Sequence, residues 1–519
     1  MLKEIEIALS PNDAINHNIV RNKAIRACQL DELDEDIEVK VLRRSVDARS
    51  KFPLIRLKIM VAFEEKINSE SAILENFNDV SEAKTVLVIG AGPAGYFAAL
   101  ELIELGLKPI VLDRGKDVRA RRRDLKAIMQ YDTVNPHSNY CFGEGGAGTY
   151  SDGKLYTRSH KRGCIEKALR LFVEHGATPD ILIDAHPHIG SNKLPNVVSN
   201  IRESILKYGG EVHFDSFVTD ILFKNNKIVG VTLSNEKEFF SDAVILATGH
   251  SARDIYELLR RRKIAIESKP FALGVRIEHQ QALVDEVQYR QSPRDENLPA
   301  SSYSLVCQVE NRGVFSFCMC PGGLVVPAAT EQGEMVVNGM SMSRRDSPFA
   351  NSGTVVAIET EDLSNNNYSG EFAGLDFQRQ VEQKMFAAGD GSMKAPAQRL
   401  TDFVEGKMSQ NLPNSSYIPG LYEAPLHQLL PDFIYRKLRA GVQQFGKLMK
   451  GYYTGESNVI GVESRTSSPI KIPRDKETLM HPDIDGFFPC GEGAGFAGGI
   501  ISAAMDGQNV AKAVKKYYN

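Results

Sequence analysis

Two glycine-rich segments near opposite ends of the chain carry most of the chemistry written in it. The first, Val86-Leu87-Val88-Ile89-Gly90-Ala91-Gly92-Pro93-Ala94-Gly95, is an apolar strand running into Gly-x-Gly-x-x-Gly. Gly90 permits a tight strand-to-helix turn, Gly92 lets the backbone approach a pyrophosphate, and Gly95 lets the next helix pack closely on the strand. Pro93 and Ala94 open that helix, whose unpaired N–H groups and positive dipole end face the phosphates. The flanks agree: a helix over 94–105 stops at Gly106, and a second apolar strand, Pro109 to Leu112, ends in Asp113. Asp113 stands 113 − 95 = 18 residues past the last glycine. A carboxylate about 20 residues on accepts the ribose hydroxyls. Such a site takes NAD or FAD.

The second segment settles which. Gly486-Phe487-Phe488-Pro489-Cys490-Gly491-Glu492 reads as a strand ending in Gly-Glu, and Gly498-Gly499-Ile500 opens a small-residue helix reaching about Lys516. Glu492 is placed for ribityl or phosphate-side hydroxyls. The helix N-terminus near Gly498 is placed for the flavin edge where negative charge collects on reduction. The expected cofactor is non-covalent FAD. Between the two segments, residues 143–155 hold four glycines and an alanine within six positions, bare backbone that suits a flat ring or a phosphate. A flexible loop is the alternative. Ala247-Thr248-Gly249 ends a buried strand at the carboxyl edge of the sheet, where ligands of doubly wound sheets sit.

These motifs need a frame. At 519 residues the chain is too long for one core, and 42% hydrophobic with 25% charged residues is ordinary soluble composition. No apolar run is long enough to span a membrane, and the start, Met1-Leu2-Lys3-Glu4, lacks a secretory core. Seven scattered cysteines fit a reducing compartment, so the expected location is cytoplasmic. A net charge of −4 argues against nucleic acid.

The expected fold is α/β. A Rossmann-like FAD-binding domain (81–264 and 466–519) holds an inserted mixed α+β substrate domain (265–465), and a small α+β module (1–80) precedes it. Three strand-like runs, 4–9, 37–44 and 54–61, and a helix over 16–30 make up the module, with polar 68–84 as linker. A helix over 194–208 leads to a meander, 217–223 and 228–233, turning at Asn225-Asn226. The inserted part carries strands 271–277, 303–309, 313–320, 324–327 and 335–341, and helices 375–388 and 431–450. It has no second Gly-x-Gly-x-x-Gly, so no second nicotinamide domain is visible.

In this order the pieces resemble the two-dinucleotide-binding-motif FAD superfamily. More closely, the chain is similar to a family of bacterial FAD-dependent dehydrogenases, largely uncharacterised. The resemblance spans nearly the whole length. It rests on 88–95, 143–155, His186-Pro187-His188-Ile189-Gly190, Phe317-Cys318-Met319-Cys320-Pro321-Gly322-Gly323, 462–469 and 491–499. Asp113 stands where commoner FAD proteins have Glu. The family implies FAD and an oxidoreductase and leaves the substrate open. The expected reaction exchanges a hydride between flavin N5 and a small organic substrate, with NAD(P)H or another carrier binding transiently for the other half-reaction. The cofactor set expected on this basis also takes in Arg114, Gly145, Gly146, Thr149, Ser151, Asp152 and Val218.

Other residues stay open. Cys318 and Cys320 share one face of a strand and suit a redox role, a substrate wall or packing. A disulfide across so few residues is strained. His186 and His188 share a face if extended, and a metal would need further ligands; none is expected. Arg465, in a polar Glu-Ser-Arg-Thr-Ser-Ser-Pro loop, is the best candidate to bind a substrate anion, against a salt bridge. The Arg-rich helix 117–131 (Arg119, Arg121, Arg122, Arg123) and Arg260-Arg261-Arg262-Lys263 support an RNA-modifying flavoprotein as an alternative function. An electron-transfer flavoprotein whose first 80 residues dock a partner is a further one.

Overall fold

The computed structural model describes residues 2–31, 36–67, 70–157 and 163–519. A five-stranded parallel sheet runs in the order Phe487–Pro489, Val244–Leu246, Thr85–Ile89, Lys108–Leu112, Glu211–His213. Alternation assigns its two faces. Val86, Val88, Val111, Ile245 and Phe488 pack under the helices Pro93–Glu104, Leu194–Lys207 and Ile500–Tyr518. Leu87, Ile89, Leu112, Val244, Leu246 and Phe487 pack against the meander and the helix Arg253–Arg261. Covered on both sides, these strands are continuous apolar runs rather than alternating ones. The meander pairs Val218–Lys224, Lys227–Leu233 and Glu238–Phe240, and Asn225 and Asn226 both take positive φ (53° and 59°) at its first turn. That is the backbone a two-residue hairpin demands.

The chain leaves this unit after Arg261 and builds a seven-stranded sheet. Its order is Val306–Val309, Arg312–Cys320, Phe349–Ile358, Phe271–Gln280, Asn458–Glu463, Ala395–Arg399, Leu421–Glu423. All neighbours are antiparallel except the last pair. The helix Asp432–Leu448 buries Ile434, Leu438, Val442 and Phe445 on it, a helical stripe.

The first residues form a three-stranded antiparallel sheet, Leu2–Leu9, Leu54–Phe63, Ile37–Asp47, under the helix His17–Ala27. Two expectations change here. The module does not close its core alone: Tyr289 and Leu298 of the inserted part belong to its apolar cluster. The stretch 68–84 is no free linker either. Asn68 and Ser69 lie outside the described residues, but Ile73, Phe77 and Val80 are buried in the core of the parallel-sheet unit. Their apolar side chains outweigh the polar residues between them. No helix among the described residues is long and apolar enough to cross a membrane.

Candidate functional site

A cleft of about 390 Å³ opens at the carboxyl ends of the parallel strands, within the range of ligand pockets. Its walls are Gly90, Gly92, Pro93 and Ala94 from the first motif, Ala247, Thr248 and Gly249 from the end of the strand Val244–Leu246, and Glu492, Gly498, Gly499 and Ile500 from the C-terminal segment. Asp113, Arg114, Gly146, Ser151, Asp152 and Val218 also line it, and Cys318 and Arg465 reach it from the inserted part. Five expected residues stand behind the wall. Gly95 is spent on packing, because a Cβ there would collide with the Gly90 carbonyl. Gly145 and Thr149 face a small apolar void beside Phe97 and Phe172. Gly491 donates its N–H to Asp506 (2.7 Å), and Cys320 is fully buried.

The glycines divide by task. A Cβ on Gly90 (φ +106°) would strike the Ala247 carbonyl, so this turn is required by the protein itself. A Cβ on Gly92 would find nothing nearer than the Gly146 Cα at 3.9 Å, and Cβ atoms on Gly498 and Gly499 would find nothing within 4 Å. The fold therefore does not need glycine at these three positions; the space beside them belongs to the cleft. Gly92 and Gly499 are the N-caps of the helices Pro93–Glu104 and Ile500–Tyr518, and no side chain caps either. Two helix N-termini with open first-turn N–H groups thus converge on one cleft, and such ends attract anions. His250 Nε2 and Ser251 Oγ, also on the wall, are buried without a partner among the described residues. Bare backbone, convergent dipoles and orphaned polar atoms fit a bound dinucleotide.

Asp113 is held by its own turn: its carboxylate accepts from Ala91 N (2.8 Å) and Gly115 N (2.8 Å). Each oxygen keeps a second lone pair for a ribose. Arg114 is sandwiched between Phe142 and Phe217, 4.5 and 4.4 Å from the ring centres, and pairs with Asp254. Glu492 stands 3.7 Å from His250 Nδ1.

The glycine-rich loop is held rather than flexible, and the Arg-rich helix is what holds it. Arg121, fully buried, donates to the carbonyls of Asn139 (2.8 Å), Tyr140 (3.0 Å), Glu144 (2.7 Å) and Gly146 (2.9 Å). Glu144 ties the loop from the other side, accepting from Val118 N, Tyr96 Oη and Arg202 (2.8, 3.0 and 3.0 Å). Burial pushes its carboxyl up from the ordinary value. Arg119, Arg122 and Arg123 stay exposed. In the other basic run, Arg260 lies over Phe372, Arg261 donates to Thr219 O and Arg262 pairs with Asp220. Of the arginines that suggested RNA, Arg121, Arg260, Arg261 and Arg262 are thus engaged within the fold.

Arg465 reaches the cleft, but not as a free guanidinium. Its nitrogens bind Glu382 (3.0 and 3.2 Å), Glu334 (2.9 Å) and Thr330 (2.6 Å), and Arg253 binds the same two carboxylates (2.5 and 2.7 Å). Two arginines and two glutamates, all buried, lock the helix Arg253–Arg261 to the inserted part. Both carboxylates facing Arg465 are supplied from within the chain, which favours the salt-bridge alternative over a substrate anion.

The two cysteines do not share a face. A bulge between Phe317 and Cys320 breaks the register, and Cys318 takes φ +43°. Alternation fails there: Cys318 lines the cleft and Cys320 turns into the core beside Arg276 (3.9 Å). His188 is bound to the Ser343 carbonyl (3.1 Å), and His186 lies edge-on to Tyr156. Sequence reasoning passed over Lys154, His250, Ser251 and Asn338 on the cleft wall. His250-Ser251 directly follow Ala247-Thr248-Gly249, so the strand-end signal already pointed at them.

Fold and site together define an FAD-binding flavoprotein of the two-dinucleotide-binding-motif superfamily. Residues 84–259 match the family model of pyridine nucleotide-disulphide oxidoreductases, and residues 270–466 that of the FAD-dependent protein, C-terminal domain-like. Residues 1–62 match a domain of unknown function. An uncharacterized protein of Clostridium beijerinckii is 39% identical over 529 residues, covering 98% of this chain and 97% of that one. The chain belongs to the family of that protein, one of FAD-dependent oxidoreductase type. Solved structures are much more distant. The tetracycline destructase Tet(51) shares 12% identity at a TM-score of 0.34, over 84% of this chain and 82% of its own. A geranylgeranyl bacteriochlorophyll reductase-like protein of Thermoplasma acidophilum shares 14% at 0.33, over 83% and 78%.

Proposed function

We propose that the protein is an FAD-dependent dehydrogenase or reductase that moves a hydride between the flavin and a small organic substrate, with NAD(P)H as transient second partner. Residues 81–264 and 466–519 hold the cofactor and residues 265–465 close the substrate side. The observation that carries the reading is the cleft between two uncapped helix N-termini, with Gly92, Gly498 and Gly499 leaving unused space on its walls. Bound flavin supplies two-electron chemistry; the chain supplies position and electrostatics. The first-motif helix is placed for the pyrophosphate, Glu492 for hydroxyls along the chain of the cofactor, and the Ile500 helix for negative charge on the reduced ring. Phe317, Cys318 and Asn338 of the inserted part line the cleft together with Lys154 and Tyr156.

The test is anaerobic mixing of the FAD-loaded protein with NADH and NADPH, following the visible flavin absorbance, then reoxidation by a panel of small metabolites. Bleaching by one nicotinamide within seconds and recovery with a particular metabolite supports the proposal. A flavin that neither nicotinamides nor metabolites reduce, and that only one-electron partners reoxidise once chemically reduced, favours an electron carrier.

A further inference from the structure

The inserted sheet brings to the cleft a group that holding a dinucleotide does not require. Strand Arg312–Cys320 bulges between Phe317 and Cys320, and Cys318, with φ +43°, puts its thiol on the cleft wall. A side chain held in the left-handed region is strained, and surrounding structure must over-determine it. Here that structure is charged. Lys154 Nζ, anchored to the Met319 carbonyl, stands 3.9 Å from the Cys318 sulfur. The Arg276 guanidinium lies behind, 3.4 Å from the Cys318 carbonyl, and the Cys320 thiol donates to that same carbonyl (3.3 Å).

Two carboxylates oppose these groups, and both are already matched. Asp152 is paired with Arg345 (2.5 Å) and Ser341, and Glu463 with Arg276 (2.7 Å). Lys154 is 3.8 Å from Asp152, so its ammonium is shared between that carboxylate and the sulfur. The neighbouring Cys320 thiol lowers the Cys318 thiol most; burial opposes it, and the Lys154 and Arg276 charges lower it further, leaving it below the ordinary thiol range. Cys320, inside and acting as donor, is pushed up.

We propose that Cys318 is a nucleophilic thiolate of this cleft that takes a small disulfide substrate as a mixed disulfide, with Lys154 as its counter-ion. The class follows from the groups present: a thiolate attacks soft sulfur, and an ammonium beside it steadies a second thiolate as that one leaves. Cys318 Sγ⁻ attacks one sulfur of R–S–S–R′, the Sγ–S bond forms and the R–S–S–R′ bond breaks. R′–S⁻ departs with the electron pair and takes its proton from solvent. Cys318 is oxidised, the leaving half of the substrate is reduced, and the disulfide is the only oxidant needed. The inference goes beyond the flavin reading and stands without it.

Iodoacetamide labelling of the purified full-length protein near pH 6, mapped by peptide mass spectrometry, is the test, with exposed Cys164 as internal reference. Cys318 should label about tenfold faster than Cys164, since thiolate fraction outweighs the lower nucleophilicity of an acidic thiol. Lys154→Met should move the pH midpoint of Cys318 labelling upward, and Lys154→Arg should restore most of it. Cystamine should then add one half-cystamine to Cys318. If Lys154→Met does not fold, the thiolate ultraviolet absorbance of wild type minus Cys318→Ser decides, titrating below the ordinary value of about 8.5. Labelling no faster than at Cys164, titration at or above that value, or alkylation without a mixed disulfide overturns the proposal. Flavin content, read on the same samples, keeps its failure separate from failure of the flavin reading.

Discussion

At the scale of single residues, the account turns on which side chains, or missing ones, the protein needs for itself. Gly95→Ala places a Cβ against the Gly90 carbonyl, whereas Gly92→Ala meets only open cleft. Gly92→Ala should therefore leave the melting temperature of the flavin-free protein within about 2 °C of wild type while weakening FAD binding. Gly95→Ala should lower that melting temperature itself. Calorimetry with and without added FAD checks the pair, and equal destabilisation by both would contradict the division of labour. A second residue gives a pH prediction. His279 is buried, hydrogen-bonded through Nε2 to the Tyr452 carbonyl (2.8 Å), and burial lowers its pKa from 6.5 to about 4. The folded state binds this proton more weakly than the unfolded chain does. His279 therefore contributes stability above about pH 6.5 that is lost as pH falls toward 4, at most about 3 kcal/mol. His279→Gln, which keeps a donor for the carbonyl, should flatten the fall of denaturation free energy across that window; an unchanged slope would assign it to other groups.

At the scale of elements, the buried quartet of Arg253, Glu334, Glu382 and Arg465 joins the parallel-sheet unit to the inserted part. Arg465→Ala leaves two buried carboxylates with one cation and should cost about 3–5 kcal/mol in urea denaturation. Full stability with only a raised KM would instead make Arg465 a substrate-anion residue, as its loop suggests in the sequence. The strand–turn–helix at 86–105 and the Gly-Glu segment at 491–492 are legible because sterics and backbone dipoles act locally, within a few residues. What stays hidden depends on where a side chain points. Four arginines in the helix 117–131 look alike in the sequence, yet only Arg121 turns inward, to close on carbonyls 18 to 25 residues further on. The bulge at Cys318 is likewise set by pairing with a strand more than 30 residues away, so period-two reasoning placed both thiols on one face.

At the scale of the whole molecule, the first residues are tied to the rest through Arg44, paired with Asp180 and Asp184, and through apolar contacts at two places. Ile73, Phe77 and Val80 belong to the main core, and Tyr289 and Leu298 complete the module's own. A chain beginning near residue 70 should fold and bind flavin with modest loss of solubility, because it uncovers mainly those last two side chains. One beginning at Ser81 also loses three core residues and should be markedly less stable; equal solubility and flavin content for the two would restore the boundary at residue 80. Everything else hangs on the cofactor that the paired motifs and the convergent helix ends are built for. The direct measurement is acid denaturation of the purified wild-type protein with chromatography of what is released, beside Gly92→Val. FAD in about one equivalent from the wild type, and none from a folded Gly92→Val, is the predicted result. Release of FMN, of a nicotinamide alone, or of no nucleotide from a protein that also fails to take up added FAD would contradict it.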